Sequence, residues 1–152
     1  MYIWKIGELK AQLSQGELSE PEAFKYLMAN TVLYSLAAIQ YFNPNHYDTL
    51  SGFLSLCIAV IGLWFIYKCN GGENGKHIIH RYLSVGWVVF VRFAVLLILP
   101  ATVVLILFQE FYLGGIHEET TRFDVFFMSA AEVIYYLWVA KHINYVAKQS
   151  NA

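Results

Sequence analysis

The chain of 152 residues has little charge: Asp, Glu, Lys and Arg make up 14% of it, and 10 basic residues stand against 11 acidic ones for a formal net charge of −1. So small a balance supplies no global field to draw the protein to nucleic acid, and no block of like charges forms a tail. Cysteine is equally scarce. Cys57 lies inside an apolar run and Cys69 at the end of one, a pairing without metal spacing or the look of a disulfide framework. Both read as free thiols that serve as small hydrophobes. The opening MYIWKIGELKAQL lacks the apolar core of a signal peptide and no small-residue cleavage site follows, so the first residues are expected in the mature protein. Internal repeats and low-complexity segments are absent. Absent too are H-E-x-x-H, G-x-S-x-G and carboxylates paired for acid and base work, so the expectation is no enzyme and no cofactor.

What fills the chain instead is apolar and aromatic material, 58% and 17% of it, well above the share of a soluble domain. It falls into four stretches, residues 26–42, 50–67, 87–108 and 125–140, each near the ~20 residues that cross a ~30 Å hydrocarbon core. The connections are short: Asn43-Pro44-Asn45, residues 70–76 and Leu113-Gly114-Gly115. The sequence predicts an all-α integral membrane domain over 1–152, a four-transmembrane-helix up-down bundle with spans of about 22–42, 50–68, 84–110 and 124–145. Lys5, Lys10, Lys25, Lys68, Lys76, Arg81, Lys141 and Lys148 fall on one side of this topology, and Arg122 alone among acidic residues on the other. The positive-inside rule then puts both termini in the cytoplasm, in the cytoplasmic membrane if the source is bacterial.

Ahead of the first span, Tyr2, Ile6, Leu9 and Leu13 recur at helical spacing. Residues 1–15 are read as an amphipathic helix in the membrane interface, with a helix folded onto the bundle's cytoplasmic ends as the alternative. "SEPE" at 19–22 has the form of a capping box, in which Ser19 accepts from the Glu22 amide and the Glu22 side chain reaches back, so the first long helix should start near Glu20.

"NGGENGKHIIHR" at 70–81 is the most suggestive stretch chemically. A phosphate-binding loop requires G-x-x-x-x-G-K-[ST] after a strand; here position 77 is His and a membrane helix precedes. The stretch reads as a turn, with Asn70 or Gly71 left-handed at the end of one helix and Asn74 capping the next. His77, His80 and Arg81, with His142 from the fourth helix, form a predicted cytoplasmic-side polar cluster. Imidazoles there, with Cys69 near, have the chemistry to ligate a metal, but the spacing does not demand one, and no His lies deep enough to hold haem between helices.

Two charges fall inside apolar runs: Arg92 in "VVFVRFAVLLILP" and Glu132 in "FMSAAEVIYY". An Arg in a spanning segment costs at least ~2.5 to 3.5 kcal/mol, so it faces a bundle interior, reaches water or finds a partner. Arg92, Glu132, Asn30 and Thr31 are read as an intramembrane polar layer; the alternative is an Arg92 that snorkels to the headgroups. Gly52, Ser55, Ala59 and Gly62 make a small-residue stripe for close helix packing, within the chain or between copies. Pro100 should free the Leu96 carbonyl and kink the third span. The expected partners are the bilayer and a membrane protein or second copy, with no nucleic acid. The expected function is interaction within the membrane, as a scaffold, accessory subunit or immunity-type factor; the alternative is an oligomeric channel or transporter subunit using Arg92 and Glu132.

Overall fold

A computed structural model describes residues 2–16, 18–37, 45–112 and 120–150, with the side chains of 20, 31–37, 109 and 112 left aside. Among these residues all regular structure is helical: α1 Ile6–Gln15, α2 Glu20–Ala37, α3 His46–Cys69, α4 Ile78–Phe93, α5 Leu99–Tyr112 and α6 Arg122–Ser150. A π-helical turn, Ala94–Ile98, joins α4 to α5, and a short 3₁₀ turn, Gly72–Asn74, lies between α3 and α4. Three helices are long and apolar enough to cross a membrane: His46–Cys69, Ile78–Phe108 and Arg122–Ser150. The chain is therefore a helical protein with membrane-spanning segments. Of the first expected span, 22–42, residues 38–42 lie outside the described residues.

Local chemistry explains where the helices start. Asn45 opens α3 with a capping box: its side chain accepts from the Tyr47 and Asp48 amides at 2.8 and 3.0 Å, and Asp48 accepts from the Asn45 amide at 2.8 Å. Thr121 and Asp124 do the same for α6, the Thr121 amide donating to the Asp124 carboxylate at 2.8 Å. The two caps are tied together, since Asn45 donates to the Thr120 carbonyl at 3.0 Å and the Thr120 hydroxyl to Asp48 at 2.5 Å. α2 begins at Glu20 as expected, by different bonds from those of a capping box. The Ser19 hydroxyl donates to the Glu22 carboxylate at 3.0 Å, and the Glu22 amide to the Ser19 carbonyl at 2.9 Å. Pro100, which has no N–H, is followed back by a widened turn in which the Leu99 amide donates to the Ala94 carbonyl five residues earlier.

Burial divides the molecule lengthwise. At the end that carries the glycine turn, here called basal, Ile66, Val85, Val88, Val89, Val139, Ile143 and Val146 form a core with Ile6, Leu9, Leu13 and Tyr26. Toward the other, distal end, large apolar side chains are exposed over residues 50–65, 95–111 and 123–137, with Val125 and Ala131 among the exceptions. At 1.5 Å per residue these stretches run about 22, 24 and 21 Å, most of the thickness of a hydrocarbon core. Side chains that face outward and are apolar throughout such a band face lipid.

Residues 84–93 belong to the helix Ile78–Phe108 that is long and apolar enough to cross, and they supply part of the packed core, with Val85, Val88 and Val89 fully buried. One expectation changes: the apolar side of α1 is not turned to lipid. Ile6, Leu9 and Leu13 are buried against α4 and α6, which is the folded-on arrangement.

Candidate functional site

The glycine turn is built around one buried side chain. Asn70, 1% exposed, donates from Nδ2 to the Lys76 carbonyl at 3.1 Å and accepts from Arg81 Nη1 at 2.9 Å. Gly71 takes the left-handed conformation at φ 105°, so of the two residues considered for the helix end it is Gly71, while Asn70 stays right-handed. Gly75 is required for space: a Cβ there would lie 2.4 Å from the Asn70 carbonyl oxygen. Asn74 caps nothing. It sits in the 3₁₀ turn, and the residue before α4 is His77, itself left-handed at φ 56°. The turn is thus folded on its own amides and carbonyls.

The predicted basal cluster is only partly assembled. Arg81, 2% exposed, ties α4 to both neighbours, with Nη2 donating to the Ser150 hydroxyl at 2.8 Å beside the bond to Asn70. Its Nε and the Nδ1 of His80 are buried without a hydrogen-bond partner. His77 is exposed. His142 is half-buried on α6, one turn from Trp138 and from Tyr145. Among the described residues no three His, Cys, Asp or Glu side chains gather as metal ligands would.

Arg92 and Glu132 are not brought together. The Arg92 guanidinium donates from Nε to the Trp4 carbonyl at 2.9 Å, with a second, shorter bond from Nη2, and lies 5.4 Å from the centre of the Trp4 ring. It stands three residues before the lipid-facing band begins at Val95, about 4.5 Å along the axis. Glu132 lies within the band and accepts from the Ser55 hydroxyl at 2.7 Å, across the α3–α6 contact. Asn30 donates to the Tyr26 carbonyl at 2.8 Å and the Leu83 carbonyl at 3.4 Å; the Thr31 side chain lies outside the described ones. The four residues read as one layer are therefore, where described, satisfied separately. Sequence reasoning missed Trp4 as the Arg92 partner, and no signal exists for it, because a backbone carbonyl carries no residue identity.

The small-residue stripe is used within the chain. α3 and α6 make the most extensive interhelical contact. At its centre Gly62 lies under the face of Tyr136, where a Cβ would meet the ring carbon Cγ at 2.4 Å. Ser55 supplies the bond to Glu132, and Ala59 packs against the core. Gly52 takes no part, with nothing within 4 Å of its Cβ position. Above Gly62 and Tyr136 an open groove of about 330 Å³ is lined by Ile58, Ile61, Trp64, Phe65, Val133 and Leu137. It is apolar throughout and opens to the lipid-facing side.

At the N-terminus, Lys5 pairs with Glu8 at 2.8 Å, which holds the ammonium pKa above its ordinary value. The Tyr2 amide donates to the Tyr26 hydroxyl at 2.8 Å and Gln12 donates to Glu22 at 3.2 Å, so two hydrogen bonds tie the N-terminal segment to α2. No protein family matches the chain, and neither a curated protein nor a solved structure matches it.

Proposed function

We propose that this chain is a small polytopic membrane protein that acts through protein–protein interaction in the bilayer rather than by catalysis or transport. The observation that carries this reading is the separate satisfaction of its intramembrane and rim polar groups. Arg92 goes to the Trp4 carbonyl, Glu132 to Ser55 and Asn30 to backbone carbonyls. A path for ions or protons needs polar groups in succession; here the Ser55–Glu132 contact of the distal band is flanked by large apolar side chains. The partner is a membrane protein or a second copy, met through the helices.

The same reading includes a fourth crossing. Asn30 is held at the basal Leu83, while Asn45 is held at the distal Thr120, so the fourteen residues between them connect opposite ends. The fifteen steps from Asn30 to Asn45 reach about 22 Å as a helix and about 50 Å extended, which brackets a ~30 Å core. With eight basic residues on the basal side against Arg122 distally, the basal end is cytoplasmic.

The test is site-specific photo-crosslinking in the native membrane from Val104 on α5 and from Ile61 in the groove, both exposed. A protein adduct of defined mass at either site is expected. Lipid adducts alone, together with proton or ion flux in proteoliposomes that Glu132→Gln abolishes, would replace this reading with the transport one.

A further inference from the structure

The basal edge of the lipid-facing band carries a convergence of positive charge that the fold itself does not neutralise. Three contacts bring its elements together. Lys10 on α1 places Nζ 4.1 Å from the Tyr145 ring centre on α6, Arg92 stacks on Trp4, and Phe93 on α4 meets Trp138 edge-on at 6.2 Å, one turn from His142. Lys141 and His142 lie on α6 between Trp138 and Tyr145, about one turn from each, and so between the Phe93 and Lys10 contacts. Among the described residues the ion pair is Lys5 with Glu8, and no carboxylate pairs with the three cations Lys10, Arg92 and Lys141. Glu132, the nearest acid along α6, is ten residues away, about 15 Å, and is held by Ser55. Like charges drawn together from three helices repel unless an anion stands among them.

The height of the cluster says which anion. The exposed apolar stretch of α6 ends at Leu137, that of the α4–α5 helix starts at Val95, and Arg92, Lys141 and His142 lie within about 8 Å of those limits. Phosphates of a bilayer lie at that level, with acyl chains running along the exposed side chains beyond, and Trp4 and Trp138 suit the same layer. We propose that Lys10, Arg92, Lys141 and His142 form a headgroup site for the phosphate of an acidic phospholipid. Arg92 donates two of its five N–H groups to Trp4 and keeps the rest for phosphate oxygens, while the lysines and the imidazole close the site from α1 and α6.

The experiment titrates the full chain in a mild detergent with phosphatidylglycerol, phosphatidylcholine or inorganic phosphate and reads the melting temperature. Phosphatidylglycerol should raise it saturably, and the other two should not. Lys10→Gln combined with Lys141→Gln should weaken phosphatidylglycerol about 30-fold, from roughly fivefold for each charge near a membrane surface. Lys25→Gln with Lys76→Gln, exposed residues of α2 and of the glycine turn, should leave it unchanged. If the Lys10 change loosens α1, Lys141→Gln alone, at an exposed position, must still weaken binding about fivefold. An equal response to phosphatidylcholine, an equal response to inorganic phosphate, or equal losses in the two lysine pairs would each overturn the proposal.

Discussion

Gly62 and Gly52 lie ten residues apart on one helix and make opposite demands on a methyl group. At Gly62 the added carbon would press on the Tyr136 ring at 2.4 Å, so Gly62→Ala should lower stability by about 1–3 kcal/mol, read as a lower melting temperature in detergent. Gly52→Ala, with open space around it, should be neutral or slightly stabilising because alanine has the better helix propensity. Pairing Gly62→Ala with Tyr136→Leu should shrink the penalty, as expected of side chains in contact. The charges behave in the reverse way. Since Arg92 and Glu132 have separate partners, Arg92→Gln and Glu132→Gln should add within about 0.5 kcal/mol, whereas Glu132→Gln and Ser55→Ala should not add. A large coupling between Arg92 and Glu132 would contradict the observed geometry. Both residues were legible as anomalies in the sequence because a charge in an apolar run is costly. Their partners were not, one being a main-chain carbonyl and the other a serine already read as a packing residue.

Elements add a lesson about what hydropathy measures. A run of Val and Trp signals removal from water, whether into lipid or into protein. Residues 84–93 read as membrane for that reason, and within the helix long and apolar enough to cross they also fill a protein core through Val85, Val88 and Val89. The periodicity of Ile6, Leu9 and Leu13 identified α1 and its buried side, yet was silent on which apolar medium would cover it. Short-range chemistry was read better, with α2 opening at Glu20 and Gly71 left-handed, while the choice of cap went wrong where long-range bonds intervene. Asn70 shows this most clearly: it was considered for its backbone and matters for its side chain. Asn70→Ala would free the Lys76 carbonyl and strand a buried guanidinium, and should cost about 2–3 kcal/mol in melting experiments, more than the same change at the exposed Asn74. Equal effects at the two asparagines would mean that the turn is held by its glycines alone.

For the molecule as a whole, the division between a packed basal core and an exposed distal band is the basis of the bilayer position we propose, which rests on exposure rather than on helix length. The helix from Ile78 through the π turn to Tyr112 is long enough to cross with many residues to spare, so its ends alone leave the register open. The side chains differ along it: Val104 is 64% exposed among apolar neighbours, whereas Ile79, exposed at 68%, stands two residues from the buried Arg81 at the basal tip. Spin labels on single cysteines, in a chain with Cys57 and Cys69 replaced by Ala, distinguish the two settings. Labels at 61, 104 and 134 should be relaxed by oxygen, which partitions into lipid, and labels at 79 and 145 by a water-soluble nickel chelate. The orientation then rests on the same set of chains, because a cysteine at 74 in the glycine turn should resist an impermeant external thiol reagent in intact cells and react after the membrane is opened. Oxygen relaxation at 79 as strong as at 104 would move the bilayer down over the basal core, and with it Arg92 from the rim into the hydrocarbon. A phosphate site at that depth would no longer be tenable, so this one measurement bears on the placement and on the lipid site together.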